Sequence, residues 1–242
     1  MQEWFKEIKK HFILNFIQGE RWKFLVNGLW STLRITFFAL LIGIAIGIIV
    51  AIVRSTYDKN ADKMKRGPGR TSLKFFNAIC KFYLTVIRGT PVVLQLLIFY
   101  YVILTSIKSG ELIGIIAFGI NTGAYIAEIF RSGIMSIDIG QFEAGRSLGF
   151  NYIQTMQYIV IPQAFKNILP TLANEFIVLL KETAVVGYVA VQDITKAGYI
   201  ISGRTYSYFM PLIAVALVYL ALVMFFSWLV GKLERRLRAS ER

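Results

Sequence analysis

Seven polar or charged side chains stand inside stretches otherwise apolar enough for lipid: Gln95, Asn121, Thr122, Tyr125 and Glu128, and the adjacent pair Lys181 and Glu182. Their chemistry is recognition rather than bond-making. Amides, hydroxyls and charges can replace the hydration of a small polar solute, and at membrane depth such groups are costly enough to face a bundle interior or a watery cavity. Asn121, Thr122, Tyr125, Glu128 and Ser132 recur at helical spacings and are expected along one face, Asn121 and Tyr125 nearer mid-membrane and Glu128 nearer the cytoplasm. A second role fits the same residues, because Asn and Thr also tie helices together. Lys181 and Glu182 are sequence neighbours, so they do not face each other on a helix. Their partners must come from elsewhere: Gln95, Glu128 or a second subunit. A structural ion pair and a direct ligand contact both remain open for them.

Other chemistries find little material. One cysteine, Cys80, excludes an internal disulfide and argues against a thiolate metal site, and one histidine, His11, leaves little for imidazole catalysis. No cofactor is expected on this chain. The formal net charge of +13 would suggest nucleic acid in a soluble protein. Here no nucleic-acid motif accompanies it, and the basic residues cluster at the ends of apolar runs, where lipid headgroups account for them.

The elements that must carry these residues follow from composition. With 56% hydrophobic and 17% charged residues and a mean hydropathy of +0.58, the 242-residue chain is too apolar for a soluble domain and has several runs near the 20 or so residues that cross a bilayer core. It reads as one all-α integral membrane domain over 1–242, with five transmembrane helices at 28–53, 82–107, 112–130, 170–191 and 210–230. In the first span Gly43 and Gly47 are four apart, a spacing that lets helices approach closely. The second is expected to be interrupted at Arg88-Gly89-Thr90-Pro91, since proline ends or restarts a helix. Residues 1–24 place Trp4, Phe5, Ile8, Phe12 and Phe16 between lysines, the pattern of an amphipathic helix in the interface. They lack a small-residue cleavage site, so the first span is expected to be retained. Tyr206, Tyr208 and Phe209 suit an outer aromatic belt.

Five spans put the termini on opposite sides. The 54–81 and 131–169 loops and the tail carry 16 Lys and Arg, against 8 for the opposite set. The positive-inside bias therefore predicts the N-terminus outside and the C-terminus in the cytoplasm.

One cytoplasmic loop, 138–162, is long, polar and helix-friendly. Asp138 is placed to cap a short helix, with Gln141 reaching back; that helix is expected to run to Leu148 and stop at Gly149. Asn151 and Gln154 then form the start of a second helix ending near Pro162. A helix so short needs a docking surface. The loop carries Glu143-Ala144-Gly145, then Gly149, then Ile159-Val160-Ile161-Pro162. In motif and spacing this resembles the EAA loop of the permease subunits of bacterial ABC importers, with Gly145 in place of the second Ala and Ile161 in place of Leu. Gly for Ala should loosen the helix by about 0.5–1 kcal/mol. Thr32-Leu33-Arg34-Ile35-Thr36, Arg88-Gly89-Thr90-Pro91, Ala124-Tyr125-Ile126-Ala127-Glu128 and Glu182-Thr183 extend the resemblance, over nearly the whole chain, to the polar amino-acid uptake branch.

The resemblance implies a type I, MetI-like permease fold in the bacterial inner membrane, with the short helix as a cytoplasmic coupling helix. It implies two ABC ATPase subunits that carry ATP and Mg2+, a second permease copy or paralogue, and an extracytoplasmic solute-binding protein. Phe142, Glu143, Ala144, Gly145, Arg146, Leu148 and Gly149 would meet the ATPase, with Glu143 as the charged contact and Phe142 and Leu148 as apolar anchors. The chain lacks a G-x-x-x-x-G-K-[ST] phosphate loop and would not itself hydrolyse ATP. An ATP-independent channel or ion-coupled carrier is the rival reading, distinguished by flux through the chain alone.

Overall fold

The computed structural model describes residues 1–60 and 67–239. Part of the expected basic loop, residues 61–66, and the last three residues of the tail lie outside the described residues. All regular elements among the described residues are helical.

Helix α1 (Gln2–Phe12) runs into a π turn (Ile13–Ile17) and a short 3-10 turn (Gln18–Glu20), where Gly19 takes a positive φ of 63°. Helix α2 (Trp22–Asn60) is 39 residues long, well beyond the 28–53 read from hydropathy. Apolar content marks only the part suited to lipid, whereas good helix formers carry the backbone further. Helix α3 (Pro68–Gly89) starts on a proline at its first turn and ends where Thr90, held extended before Pro91 at φ −124° and ψ 147°, breaks the helix. Helix α4 (Val92–Ile98) then begins anew and passes into a π turn, Phe99–Ile103. The expected interruption at Pro91 is thus present, and the first half of the pair starts as early as Pro68.

Helix α5 (Gly110–Met135) contains the expected 112–130 span. Beyond it lie α6 (Ile139–Ser147), α7 (Tyr152–Thr155), a π turn (Met156–Val160) and α8 (Ile161–Glu182). The second loop helix does not end near Pro162. The π turn just before Pro162 already departs from α-type bonding, so the missing proline N–H does not end the helix there. Helix α8 consequently starts well before Pro170, runs through it, and gives way to a 3-10 turn, Thr183–Val189, closed by Ala190 in the left-handed region. The stretch 191–209, expected as a loop, holds helix α9 (Ile194–Thr205), and α10 (Phe209–Ala239) is the last described element.

Among the described residues three helices are individually long and apolar enough to cross a bilayer: Trp22–Lys59, Gly110–Met135 and Phe209–Leu237. Helices α3 and α4, taken as one broken span, would make a fourth. The expected fifth falls on α8, whose Lys166, Glu175, Lys181 and Glu182 dilute its apolar character.

The chain forms two compact units. One comprises 1–39, 92–118 and 177–228. In it the helices pack where side chains are missing: a Cβ on Gly28 would lie 2.6 Å from the Asp193 carbonyl oxygen, and one on Gly114 would lie 2.9 Å from Val186. Thr32 joins the elements by donating to the Gly28 carbonyl (3.0 Å) and accepting from the Ile194 amide (3.2 Å). Asp193, fully buried, caps α9 by accepting from the amides of Thr195 (2.9 Å) and Lys196 (3.0 Å). Burial pushes its carboxyl above the ordinary aspartate range, while those amides pull it the other way. Arg34 pairs with Glu111 at 2.8 Å.

The other unit comprises 40–91, 119–176 and the end of α10. Gly43 and Gly47 do serve a close approach, as their four-residue spacing suggests. A Cβ on Gly47 would lie 2.5 Å from Ile126, and one on Gly43 would meet Thr122 at 3.1 Å. Tyr83 donates to the Ile120 carbonyl at 2.5 Å, tying α3 to α5.

Candidate functional site

The short helix α6 is built as a capped rod. Asp138 accepts from the Gly140 amide (2.7 Å) at its start. At its end the Phe150 amide donates to the Gly145 carbonyl (3.0 Å) and the Gly149 amide to the Arg146 carbonyl (2.9 Å), with Gly149 at φ +82°. This is the paired-bond termination that a left-handed glycine permits. Asn151 and Gln154 exchange side-chain and backbone bonds of 2.9 Å each, the reciprocal cap expected of them. Gln141 does not reach back to Asp138. Its Oε1 instead accepts from Gln163 Nε2 at 3.1 Å and so fastens α6 to α8.

Further contacts root this rod and the turn that leads into it. Phe142 packs against a cluster of Ile134, Val160, Ala164 and Ile168, and the Lys59 ammonium sits 3.6 Å from its ring centroid. Asn167 donates to Ser136 Oγ at 3.0 Å. Gly145 is buried, and a Cβ there would lie 2.6 Å from Thr155 Cγ2. The glycine that stands where the EAA pattern has alanine therefore permits α6 to lie against the next helix. Phe142, expected as an apolar anchor, is half-buried: one side of its ring packs on Ile134 and Ile168, where burial is favourable, while it also lines an open hollow with Arg146 and Tyr152. Glu143, Ala144, Arg146 and Gly149 are exposed, and Leu148 is 72% exposed, a large apolar side chain left in the open at the rod's end.

Of the polar residues expected along α5, the structure keeps Asn121, Tyr125 and Glu128 on successive turns and separates Thr122 from them. Thr122 is fully buried against Gly43, with its hydroxyl unpaired. A residue adjacent to Asn121 lies about 100° around the helix, so it cannot share that face fully. Tyr125 is 37% exposed, with the Arg88 guanidinium 5.7 Å from its ring centroid. Glu128 is not left for Lys181: Arg131 takes it at 2.5 Å and 3.2 Å, through Nη2 and Nε. Arg131 also lies 3.9 Å from Asp58, which lies 3.8 Å from Arg54, and Arg54 donates to Asn77 at 2.8 Å. This ladder was not singled out in the sequence, although Arg54/Asp58 at i, i+4 and Glu128/Arg131 at i, i+3 carried the signal.

In the other unit Gln95 is buried on α4, which packs on the 3-10 turn that follows Glu182. Lys181 is exposed and Glu182 half-buried, and neither takes part in an ion pair among the described residues.

Comparison with known proteins places this all-helical chain among transport permeases. Residues 68–239 match the family model described as the binding-protein-dependent transport system inner membrane component. The chain belongs to this family. A Rickettsia bellii chain provisionally named glutamine transport system permease protein GlnP is 37% identical over 90% of this chain and 94% of its own length. The arginine transport system permease protein ArtQ of Bacillus subtilis is 34% identical over 90% and 94%. Among solved structures, an amino acid ABC transporter with histidines superposes with a TM-score of 0.80 at 38% identity, covering 90% of this chain and 96% of that one.

Proposed function

We propose that this chain is the permease subunit of an ATP-driven importer of polar amino acids in the bacterial inner membrane. The observation that carries the reading is α6: a rod capped at both ends, rooted by Phe142, Gln141 and Gly145, that leaves Glu143, Arg146 and Leu148 facing outward. The names of the relatives, with glutamine, arginine and histidines among them, support the substrate class.

In this reading two ATPase subunits bind ATP and Mg2+ on the cytoplasmic side, and a solute-binding protein delivers substrate outside. A second permease copy or paralogue completes the path. Five spans set the N-terminus outside and the C-terminus inside, which puts α6 on the ATPase side. Glu143 and Arg146 offer charge contacts and Leu148 an apolar one, while Ala144 and Gly149 shape the surface between them. Force on the rod passes into α8 through Gln141–Gln163 and into α5 through the Phe142 cluster, because close-packed interiors transmit displacement rather than absorb it. Asn121, Tyr125 and Glu128 on α5 are candidate substrate contacts, as separately are Gln95 on α4 and Lys181 and Glu182 on α8, with Thr122 a packing residue. Alternating access then exposes these groups to each side in turn. The permease itself makes and breaks no covalent bond.

Reconstitution with its ATPase and binding protein, followed by a panel of labelled amino acids, tests this. ATP-dependent accumulation of a polar amino acid is expected. Flux of equal rate through the permease alone would favour a channel or ion-coupled carrier instead.

A further inference from the structure

Helix α1 sorts its side chains into arcs. At 3.6 residues per turn, Trp4, Phe5, Ile8 and Phe12 share one side, Lys6, Lys9 and Lys10 the next, and Glu3 and Glu7 lie beyond the lysines. Trp4 and Phe5 are 62% and 61% exposed. The three lysines line a hollow of about 400 Å³, open on one side, whose other walls are Ile13, Leu14 and Gln18. None of the three lysines joins an ion pair among the described residues, and no carboxylate lines the hollow.

We propose that this hollow holds the headgroup of an anionic phospholipid. Three ammonium groups supply donors to a phosphate, Ile13 and Leu14 supply apolar contact, and the adjoining aromatic arc lies where acyl chains begin. An acidic protein surface would satisfy the lysines but would leave Trp4, Phe5 and Phe12 beside it without an apolar partner; a lipid answers both arcs. The site also has a route into the fold. Helix α1 leads into the π turn, where fully buried Asn15 donates to Ser207 Oγ (3.4 Å) and accepts from Thr205 Oγ1 (2.7 Å) at the end of α9. A lipid that fixes α1 therefore fixes the α9 terminus through Asn15. The inference rests on the chain's membrane location and not on which solute is carried.

The test uses the full-length chain in phosphatidylcholine nanodiscs doped with a photoactivatable phosphatidylglycerol, with cross-linked peptides mapped by mass spectrometry. Labelling is expected within residues 4–14, competed by unlabelled phosphatidylglycerol and not by phosphatidylcholine. Each lysine near an anionic surface contributes roughly a fivefold preference. Lys6→Gln/Lys9→Gln/Lys10→Gln should therefore abolish the competition at this peptide, while Lys6→Arg/Lys9→Arg/Lys10→Arg retains it. Equal competition by phosphatidylcholine, or labelling unchanged in the Gln variant, overturns the proposal. So does an absence of labelling in 4–14 accompanied by loss of solute-binding-protein affinity in the Gln variant, which would assign the lysines to a protein contact. Because uptake is not the readout, failure here leaves the transport function standing.

Discussion

A Cβ added at Gly145 would lie 2.6 Å from Thr155 Cγ2 and 2.7 Å from its hydroxyl, so these two residues set how closely the capped rod can lie against the helix after it. Gly145→Ala gains helix propensity, about 0.5–1 kcal/mol, and loses more to overpacking, about 1–3 kcal/mol. A net destabilisation of about 1–2 kcal/mol is expected, read as a lowered thermal midpoint of the solubilised chain. Adding Thr155→Ala should restore most of it. A double variant no better than the single one would show that Thr155 is not what crowds the site.

Glu143 is exposed, and among the described residues its carboxylate makes no hydrogen bond or ion pair within α6; beyond the helix ladder, its backbone carbonyl accepts from Ser147 Oγ. Glu143→Lys should leave membrane insertion and thermal stability unchanged and lower substrate uptake at least tenfold while ATP hydrolysis by the complex persists. Wild-type uptake by this variant would remove Glu143 from the coupling surface.

The Glu128–Arg131 pair is about one-third exposed, at 34% and 29%, which limits its worth. A double-mutant cycle with Glu128→Gln and Arg131→Gln should give a coupling of about 0.5–1 kcal/mol. Arg131→Gln should be the more damaging single change, because it also removes one of the two guanidinium contacts of Asp58, leaving Arg54 alone. Identical effects of the two single variants would argue that the Asp58 contact contributes nothing.

Asp193 offers a pH test. Burial holds its folded pKa above the ordinary value, so the folded state favours the protonated acid. Its stabilising contribution is then complete below the unfolded pKa of about 4 and is lost as pH rises through the folded value. Asp193→Asn keeps an acceptor oxygen without the buried charge. Its stability relative to the native chain should therefore improve as pH rises above about 4, whereas Asp193→Ala should cost about 1–2 kcal/mol as a lost cap. Unfolding midpoints that keep a constant gap as pH rises would contradict the argument.

Much of this molecule was legible without coordinates because membrane sequences obey strong local rules. Apolar runs marked α2, α5 and α10, since lipid offers the backbone no hydrogen-bond partner and helices supply their own. The short loop helix was equally readable. Asp138, Gly149, Asn151 and Gln154 act within a few residues of themselves, and all four do what their types and spacing imply. The signal for α9 was also local, Asp193 before Ile194 with Ala197 and Ile201 following, but 191–209 reads as a loop on hydropathy alone.

What tertiary structure alone decided concerns choices among partners distant in sequence. Gln141 had a local option at the helix start and took Gln163 instead; Phe142 set one side of its ring against Ile134 and Ile168; Glu128 was claimed by Arg131 before any distant lysine. Gly145 looked like a weakened alanine and proved to be the space that Thr155 requires. Spacing along a chain determines which side chains share a helix face. Which neighbour each one meets depends on how closely separate helices approach, and that distance is written in no single segment.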